Sequence, residues 1–157
     1  MYPFSRVQRN ISHQKTLIHF AGLAGFALFY PAIASLYPLL PPLLGVVYVK
    51  WREAWLRSDY VETALWMLYA IVFESVWGLP LYGLWSAMFA FFALFDPKIT
   101  YFLRNRLMID LVSVVLFDLF YVGMLWLYGA IIHQSVVSYD SILIYYMLMD
   151  VVGVVLL

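Results

Sequence analysis

The chain has 157 residues, of which 66% are apolar, 20% aromatic and only 11% charged, with a formal net charge of zero and no cysteine. Soluble domains carry about 25% charged and about 45–50% apolar residues, so this composition argues against a soluble enzyme, a disordered chain or a nucleic-acid-binding domain. The lack of cysteine excludes disulfides, zinc ribbons and iron–sulfur clusters. With a mean hydropathy of +0.89, the sequence predicts an all-α, polytopic membrane protein.

The first predicted helices follow a polar and basic N-terminal segment. No clear small-x-small cleavage site follows it, so we expect a membrane helix here and not a cleaved signal peptide. Residues 17–49 contain no charged side chain, a run longer than one helix needs to cross a hydrocarbon core of about 30 Å. Prolines at 31, 38, 41 and 42 predict a hairpin with spans at about 17–34 and 36–49. A re-entrant second arm is the alternative.

Four further spans are predicted along the rest of the chain. The third covers residues 60–77 and is followed by a tight turn at Gly78-Leu79-Pro80. The fourth covers 80–95 and stops at Asp96-Pro97, and the last two cover 107–132 and 141–157. No internal repeat or long linker interrupts the sequence, so we expect one membrane domain over residues 1–157.

The basic residues predict the orientation of these six spans. All nine fall in alternate segments, three before the first span, three between the second and third, and three between the fourth and fifth: Arg6, Arg9, Lys15, Lys50, Arg52, Arg57, Lys98, Arg104 and Arg106. The opposite connections contain no Lys or Arg. Because basic residues accumulate in cytoplasmic loops, both termini are expected in the cytoplasm.

Three acidic residues are predicted to lie within the membrane. Asp118 is near the middle of the fifth span, Asp150 is halfway along the sixth, and Glu74 is one turn from the outer end of the third. An ionisable residue at such depth costs about 2.5–3.5 kcal/mol and is a functional hypothesis by default. With no Lys or Arg at matching depth, we expect these acids to be protonated and hydrogen-bonded. Tyr121 and Tyr146 can share helix faces with Asp118 and Asp150.

Three interpretations of these acids stay open. Protonated carboxyl groups can tie neighbouring helices together, contact a partner helix, or relay protons or cations. The sequence contains no Gly-x-Ser-x-Gly, His-Glu-x-x-His or P-loop pattern, each of which marks a known type of catalytic or phosphate-binding site. We therefore expect no catalytic site, cofactor or metal.

Residues 74–83, Glu-Ser-Val-Trp-Gly-Leu-Pro-Leu-Tyr-Gly, close one predicted span and open the next. This segment resembles the one in the bacterial rod-shape-determining protein MreD family in which an acidic residue precedes a small turn and a Leu-x-Gly-like step, with Glu74 in place of the more usual Asp. The resemblance extends loosely over residues 37–157. It includes a proline-flanked helix, this acidic hairpin, a basic loop at 102–106, a long helix with a mid-span Asp and a last span.

The resemblance implies a six-helix fold similar to the substrate-binding subunit of energy-coupling-factor vitamin transporters. It further implies a non-enzymatic scaffold in the bacterial inner membrane that binds an MreC-like single-span protein and connects MreB filaments to RodA and a class B penicillin-binding protein. A homodimer is left open. The alternative is a substrate-binding subunit or a small ion- or proton-coupled transporter. The candidate partner-binding or intramembrane polar residues are Glu74, Gly78, Pro80, Gly83, Asp118 and Asp150.

Overall fold

The computed structural model describes residues 4–37, 39–133 and 141–156. These residues form helices and no strand, which confirms the predicted all-α class. The helices are α1 (Phe4–Leu36), α2 (Leu44–Leu56), α3 (Tyr60–Trp77), α4 (Gly83–Leu94), α5 (Asp96–Phe102), α6 (Arg106–Ile132) and α7 (Ser141–Leu156). Of the described helices, α6 and the Ile18–Leu36 part of α1 are long and apolar enough to cross a membrane. The six crossings stay a prediction.

The predicted first hairpin has different bounds in the structure. Helix α1 continues through Pro31, which is buried inside it, and the break comes later, between α1 and α2. Pro41 and Pro42 have no N–H to donate, so a helix does not propagate through them and α2 begins only at Leu44. Of the second predicted span, 36–49, the first residue belongs to α1 and residues 44–49 belong to α2, which continues seven residues beyond the span to Leu56.

The non-helical segment before α2 is held by side chains from three helices. Backbone without helical hydrogen bonds is tolerated at membrane depth only where the protein itself satisfies its polar groups. Three tyrosine hydroxyls supply donors to this segment, from Tyr30 to the carbonyl of Pro41 at 2.8 Å, from Tyr145 to that of Leu39 at 2.9 Å, and from Tyr69 to that of Pro42. The start of α2 is therefore fixed jointly by α1, α3 and α7.

Helix α2 is the central element of the packing. It contacts α3, α6 and α7, while α1 packs on α3 and α4 packs on α3, α5 and α6. Its fully buried Tyr48 stacks on Phe117 of α6, with ring centroids 4.5 Å apart, and meets Phe91 of α4 edge to face at 5.1 Å. Such aromatic pairs contribute about 0.5–1.5 kcal/mol each beyond the apolar area they bury.

The fourth predicted span, 80–95, is also different in the structure. Helix α4 covers only Gly83–Leu94, and a short helix that was not predicted, α5, follows directly. The Asp96-Pro97 pair was interpreted as a stop signal, but Pro97 lies in the first turn of α5, where a missing N–H costs nothing. By contrast, α3 has the predicted bounds, α6 begins one residue before its predicted start, and α7 covers the predicted last span as far as residue 156, where the described residues end.

A buried ion cluster joins the end of α2 to the starts of α5 and α6. The guanidinium of Arg52 contacts Asp96, with Nε and Oδ1 2.6 Å apart, and Asp110, with Nη1 and Oδ1 3.3 Å apart. Beside it, Glu53 pairs with Arg106 and with Lys50, whose Nζ is 3.6 Å from Oε2. Two of the basic segments that the charge pattern predicts on one side of the membrane therefore meet at one end of the helix bundle.

Candidate functional site

Asp118 and Asp150, which lie on different helices, meet at the start of α2. The backbone N–H of Gly45 donates to Asp150 Oδ2 at 2.7 Å. Asp118 Oδ1 and Asp150 Oδ2 each lie 3.2 Å from the point that a Cβ atom of Gly45 would occupy, so the two carboxyl groups are close neighbours. Both side chains are almost fully buried, with exposed fractions of 7% and 3%. The structure thus brings together two of the predicted site residues as one carboxyl pair.

Gly45 makes this meeting sterically feasible. A Cβ atom at this position would lie 2.5 Å from Val114 Cγ1 and 3.2 Å from both Asp118 Oδ1 and Asp150 Oδ2. Carbon atoms in good contact are about 3.5–4.0 Å apart, so no side chain fits without movement of α2 or α6. Gly45 is not among the predicted site residues. Its position three residues after Pro42, at the start of a helix, was the available signal.

Glu74 forms a second acidic site, and the structure gathers the rest of the predicted acidic turn around it. Its carboxylate is fully buried and accepts a hydrogen bond from the backbone N–H of Leu84 in the first turn of α4. Gly78 ends α3 in the left-handed conformation, with φ of 64°, and its N–H donates to the carbonyl of Glu74. The Gly83 N–H donates to the carbonyl of Pro80 at 3.1 Å. All four predicted residues of this turn therefore belong to one local unit.

The two acidic sites share one design. Helices α2 and α4 each follow a left-handed residue, Leu43 with φ of 54° and Tyr82 with φ of 67°, whose side chain makes no capping hydrogen bond. In both cases an acid from another helix accepts a first-turn N–H instead. Helix N-termini carry a partial positive charge that stabilises negative charge close to them. Each acid is thus anchored through one oxygen, and its other oxygen, Glu74 Oε2 or Asp150 Oδ1, is buried without a hydrogen-bond partner.

A cleft of about 230 Å³ lies between α3, α6, α7 and the start of α2. Asp118, Asp150, Tyr121 and Trp77 all line it, and each has one buried polar atom with no hydrogen-bond partner: Asp118 Oδ2, Asp150 Oδ1, the Tyr121 hydroxyl and Trp77 Nε1. Buried polar groups in proteins are almost always paired, so a cluster of unpaired ones requires an explanation.

The remaining wall of the cleft is apolar and aromatic. It consists of Pro42, Leu44, Phe73, Leu79, Val122, Leu125, Ile142, Leu143, Tyr146 and Met147. No Lys or Arg is among the lining residues, and no ion pair found within the described residues involves Glu74, Asp118 or Asp150. In the same part of the chain, no group of three His, Cys, Asp or Glu residues is placed to hold a metal ion. Unpaired carboxyl oxygens beside aromatic rings favour contact with a cationic or hydrogen-bond-donating group.

No family model matches the chain, and no curated protein or solved structure matches it. The resemblance to the MreD family therefore stays a prediction that depends on residues 74–83 and on the order of the helices. The features of the structure that bear on function are the two acidic sites, the cleft and the distribution of charge.

Proposed function

We propose that the protein is a non-enzymatic, six-span scaffold subunit of the bacterial inner membrane, acting in the cell-elongation machinery as its resemblance to the MreD family implies. The observation that supports this most directly is the construction of the turn over residues 74–83. Glu74 is fully buried and fastened to the first turn of α4, while Leu81 and Tyr82 at the tip of the turn are 57% and 60% exposed. A rigid turn with exposed apolar side chains is suited to binding a partner protein.

The six-span arrangement has support from exposed apolar surface. In the most apolar part of the Ile18–Leu36 segment only 17% of residues are buried inside the protein, and in α6 only 28%. Large side chains such as Phe29, Leu119 and Ile144 are between 53% and 67% exposed. Apolar surface this extensive is rare on soluble monomers and is suited to contact with lipid. The ion cluster around Arg52 would then lie at the cytoplasmic ends of the helices.

Site-specific photocrosslinking in living cells tests the scaffold proposal. A photoreactive amino acid in place of Tyr82 is expected to capture a single-span, MreC-like protein from the outer side of the membrane. The matched control is Tyr101 of α5, which is 84% exposed near the Arg52 ion cluster. Position 101 is expected to give no adduct with the part of that partner outside the membrane. Absence of any protein adduct at position 82, or an equal adduct at both positions, would contradict the proposal.

A substrate-binding subunit or small coupled transporter is the second candidate, and the cleft is the specific observation in its favour. Transporters bind substrates near the membrane midplane, often where helices are discontinuous, and α2 begins beside the carboxyl pair in this way. Solute uptake into proteoliposomes tests this candidate, with Asp118→Asn expected to abolish the flux. If wild-type protein gives no flux, or if Asp118→Asn leaves it unchanged, the transporter proposal is wrong.

A further inference from the structure

We infer that the cleft between α3, α6 and α7 binds a small organic ammonium ion, with Asp118 and Asp150 supplying the opposite charge. This inference goes beyond the scaffold function and concerns binding alone. It adds a ligand class to the second candidate function without requiring that the ligand cross the membrane.

The carboxyl pair carries a charge that nothing nearby neutralises. Asp118 and Asp150 are buried and lie against the same point beside Gly45, and two carboxylates so placed repel each other too strongly for both to ionise, so one of them holds a proton. The other can remain ionised, since the N–H of Gly45 and the positive end of α2 stabilise its negative charge. No Lys or Arg lines the cleft. A single negative charge therefore faces a mostly apolar cleft, where a monovalent cation is the matching ligand.

The unpaired atoms match the donors of a primary ammonium group. Such a group has three N–H donors and no acceptor. The cleft has three buried oxygen atoms without a partner: Asp118 Oδ2, Asp150 Oδ1 and the Tyr121 hydroxyl. All three side chains are more than nine-tenths buried, with exposed fractions of 7%, 3% and 3%. Tyr121 lies three residues after Asp118 on α6, so both project from neighbouring turns of one helix face.

The wall of the cleft indicates an organic cation and not a bare metal ion. A metal ion needs several close oxygen or nitrogen ligands, and the described residues contain no group of three side chains placed to provide them. The aromatic rings of Phe73, Trp77 and Tyr146 instead offer apolar and cation–π contacts to the body of an amine. The volume of about 230 Å³ is slightly below the roughly 300 Å³ at which ligand pockets usually begin, so the ligand is small.

Calorimetric titration of the purified protein in lipid nanodiscs tests the inference. The probes are 2-phenylethylamine and butylamine, each compared with the neutral alcohol of the same carbon framework. We expect saturable binding of at least one amine, and binding of its alcohol weaker by about tenfold or more because the charged hydrogen bonds are lost. Asp150→Asn should weaken amine binding by about tenfold or more, because it removes the ionised carboxylate but keeps an acceptor for the Gly45 N–H. Tyr121→Phe should weaken it by a few-fold.

Ser113→Ala is the matched control, since Ser113 is a fully buried residue of the same helix with an unpaired hydroxyl, but it does not line the cleft. This variant should bind the amine as the wild type does. Should Asp150→Asn fail to fold, the amine-to-alcohol ratio and Tyr121→Phe decide the question. The inference is wrong if folded wild-type protein binds neither amine, if amine and alcohol bind equally, or if folded Asp150→Asn binds as well as wild type. Amine binding without uptake would refute the transporter and leave this inference standing.

Discussion

Substitution of Gly45 by alanine adds one methyl group at the closest contact between α2 and α6. The new Cβ would lie 2.5 Å from Val114 Cγ1, about 1 Å closer than an ordinary carbon–carbon contact. Val114 is fully buried and β-branched, so its χ1 angle has one strongly preferred value in a helix and the side chain cannot easily rotate away. The helices must therefore separate, which also lengthens the hydrogen bond from the Gly45 N–H to Asp150.

The expected loss follows from comparison with Gly123→Ala. Alanine favours helix over glycine by up to about 1 kcal/mol, and both positions lie in helices. At Gly123 the new methyl group meets nothing within 4 Å, so that variant gains helix propensity without a clash. Overpacking of a dense core typically costs about 1–3 kcal/mol. Gly45→Ala should accordingly be less stable than Gly123→Ala by about 1–3 kcal/mol in free energy of unfolding.

Unfolding by sodium dodecyl sulfate in mixed micelles, followed by tryptophan fluorescence, measures this difference. The double variant Gly45→Ala/Val114→Ala should recover part of the loss, because the atom that clashes is removed. The double variant should thus lose less free energy of unfolding than the sum of the losses in the two single variants. Equal stability of Gly45→Ala and Gly123→Ala would refute the packing argument, and strict additivity in the double variant would refute the role of Val114.

Three further outcomes are expected from the polar clusters. Arg52→Gln should lower the free energy of unfolding by about 3–5 kcal/mol, since it leaves two buried aspartates without their cation, whereas Lys98→Gln at an exposed site should change it little. Burial raises the pKa of Glu53, but its basic neighbours outweigh burial and hold that pKa below the ordinary value of 4.5. The stabilisation from ionised Glu53 is present above pH 4.5 and is lost as the pH falls through the lowered pKa. Over that pH range the melting temperature of Glu53→Gln should therefore decline less than that of the wild type. Glu74→Ala should cost about 1–3 kcal/mol in detergent unfolding because the buried N–H of Leu84 loses its acceptor, while Glu74→Gln keeps an acceptor and should cost less.

Local patterns in the sequence predicted the helices whose ends carry local signals. Tyr60–Trp77 was predicted with its observed bounds because Gly78 follows the last apolar turn and adopts the left-handed conformation there. The path of α1 through Pro31 was not predicted, since a proline disrupts a helix locally but packing against α3 can retain it. Helix α5 was missed because Asp96-Pro97 is compatible with both the end and the start of a helix.

Only part of the candidate site could be predicted from the sequence. Asp118, Asp150 and Glu74 stand out because acids are rare in apolar runs. The hydrogen-bond partners of Asp150 and Glu74 are backbone N–H groups, which every residue except proline carries. The contact between Gly45 and Asp150 joins residues 105 positions apart, and nothing in the local sequence around either residue specifies the other. The cleft likewise arises only from the packing of α3, α6 and α7 around the start of α2.

That separation along the chain also sets an order of assembly. Ribosomes add about 5–20 residues per second, so Asp150 is synthesised about 5–20 s after Gly45. Throughout that interval the start of α2 has neither its carboxyl partner nor the hydroxyl that Tyr145 donates to Leu39. Polar backbone without partners is costly in hydrocarbon, so in the proposed six-span arrangement the segment before α2 is expected to reach its final packing only after the last helix has been made. The last helix is thus the one that completes the first hairpin.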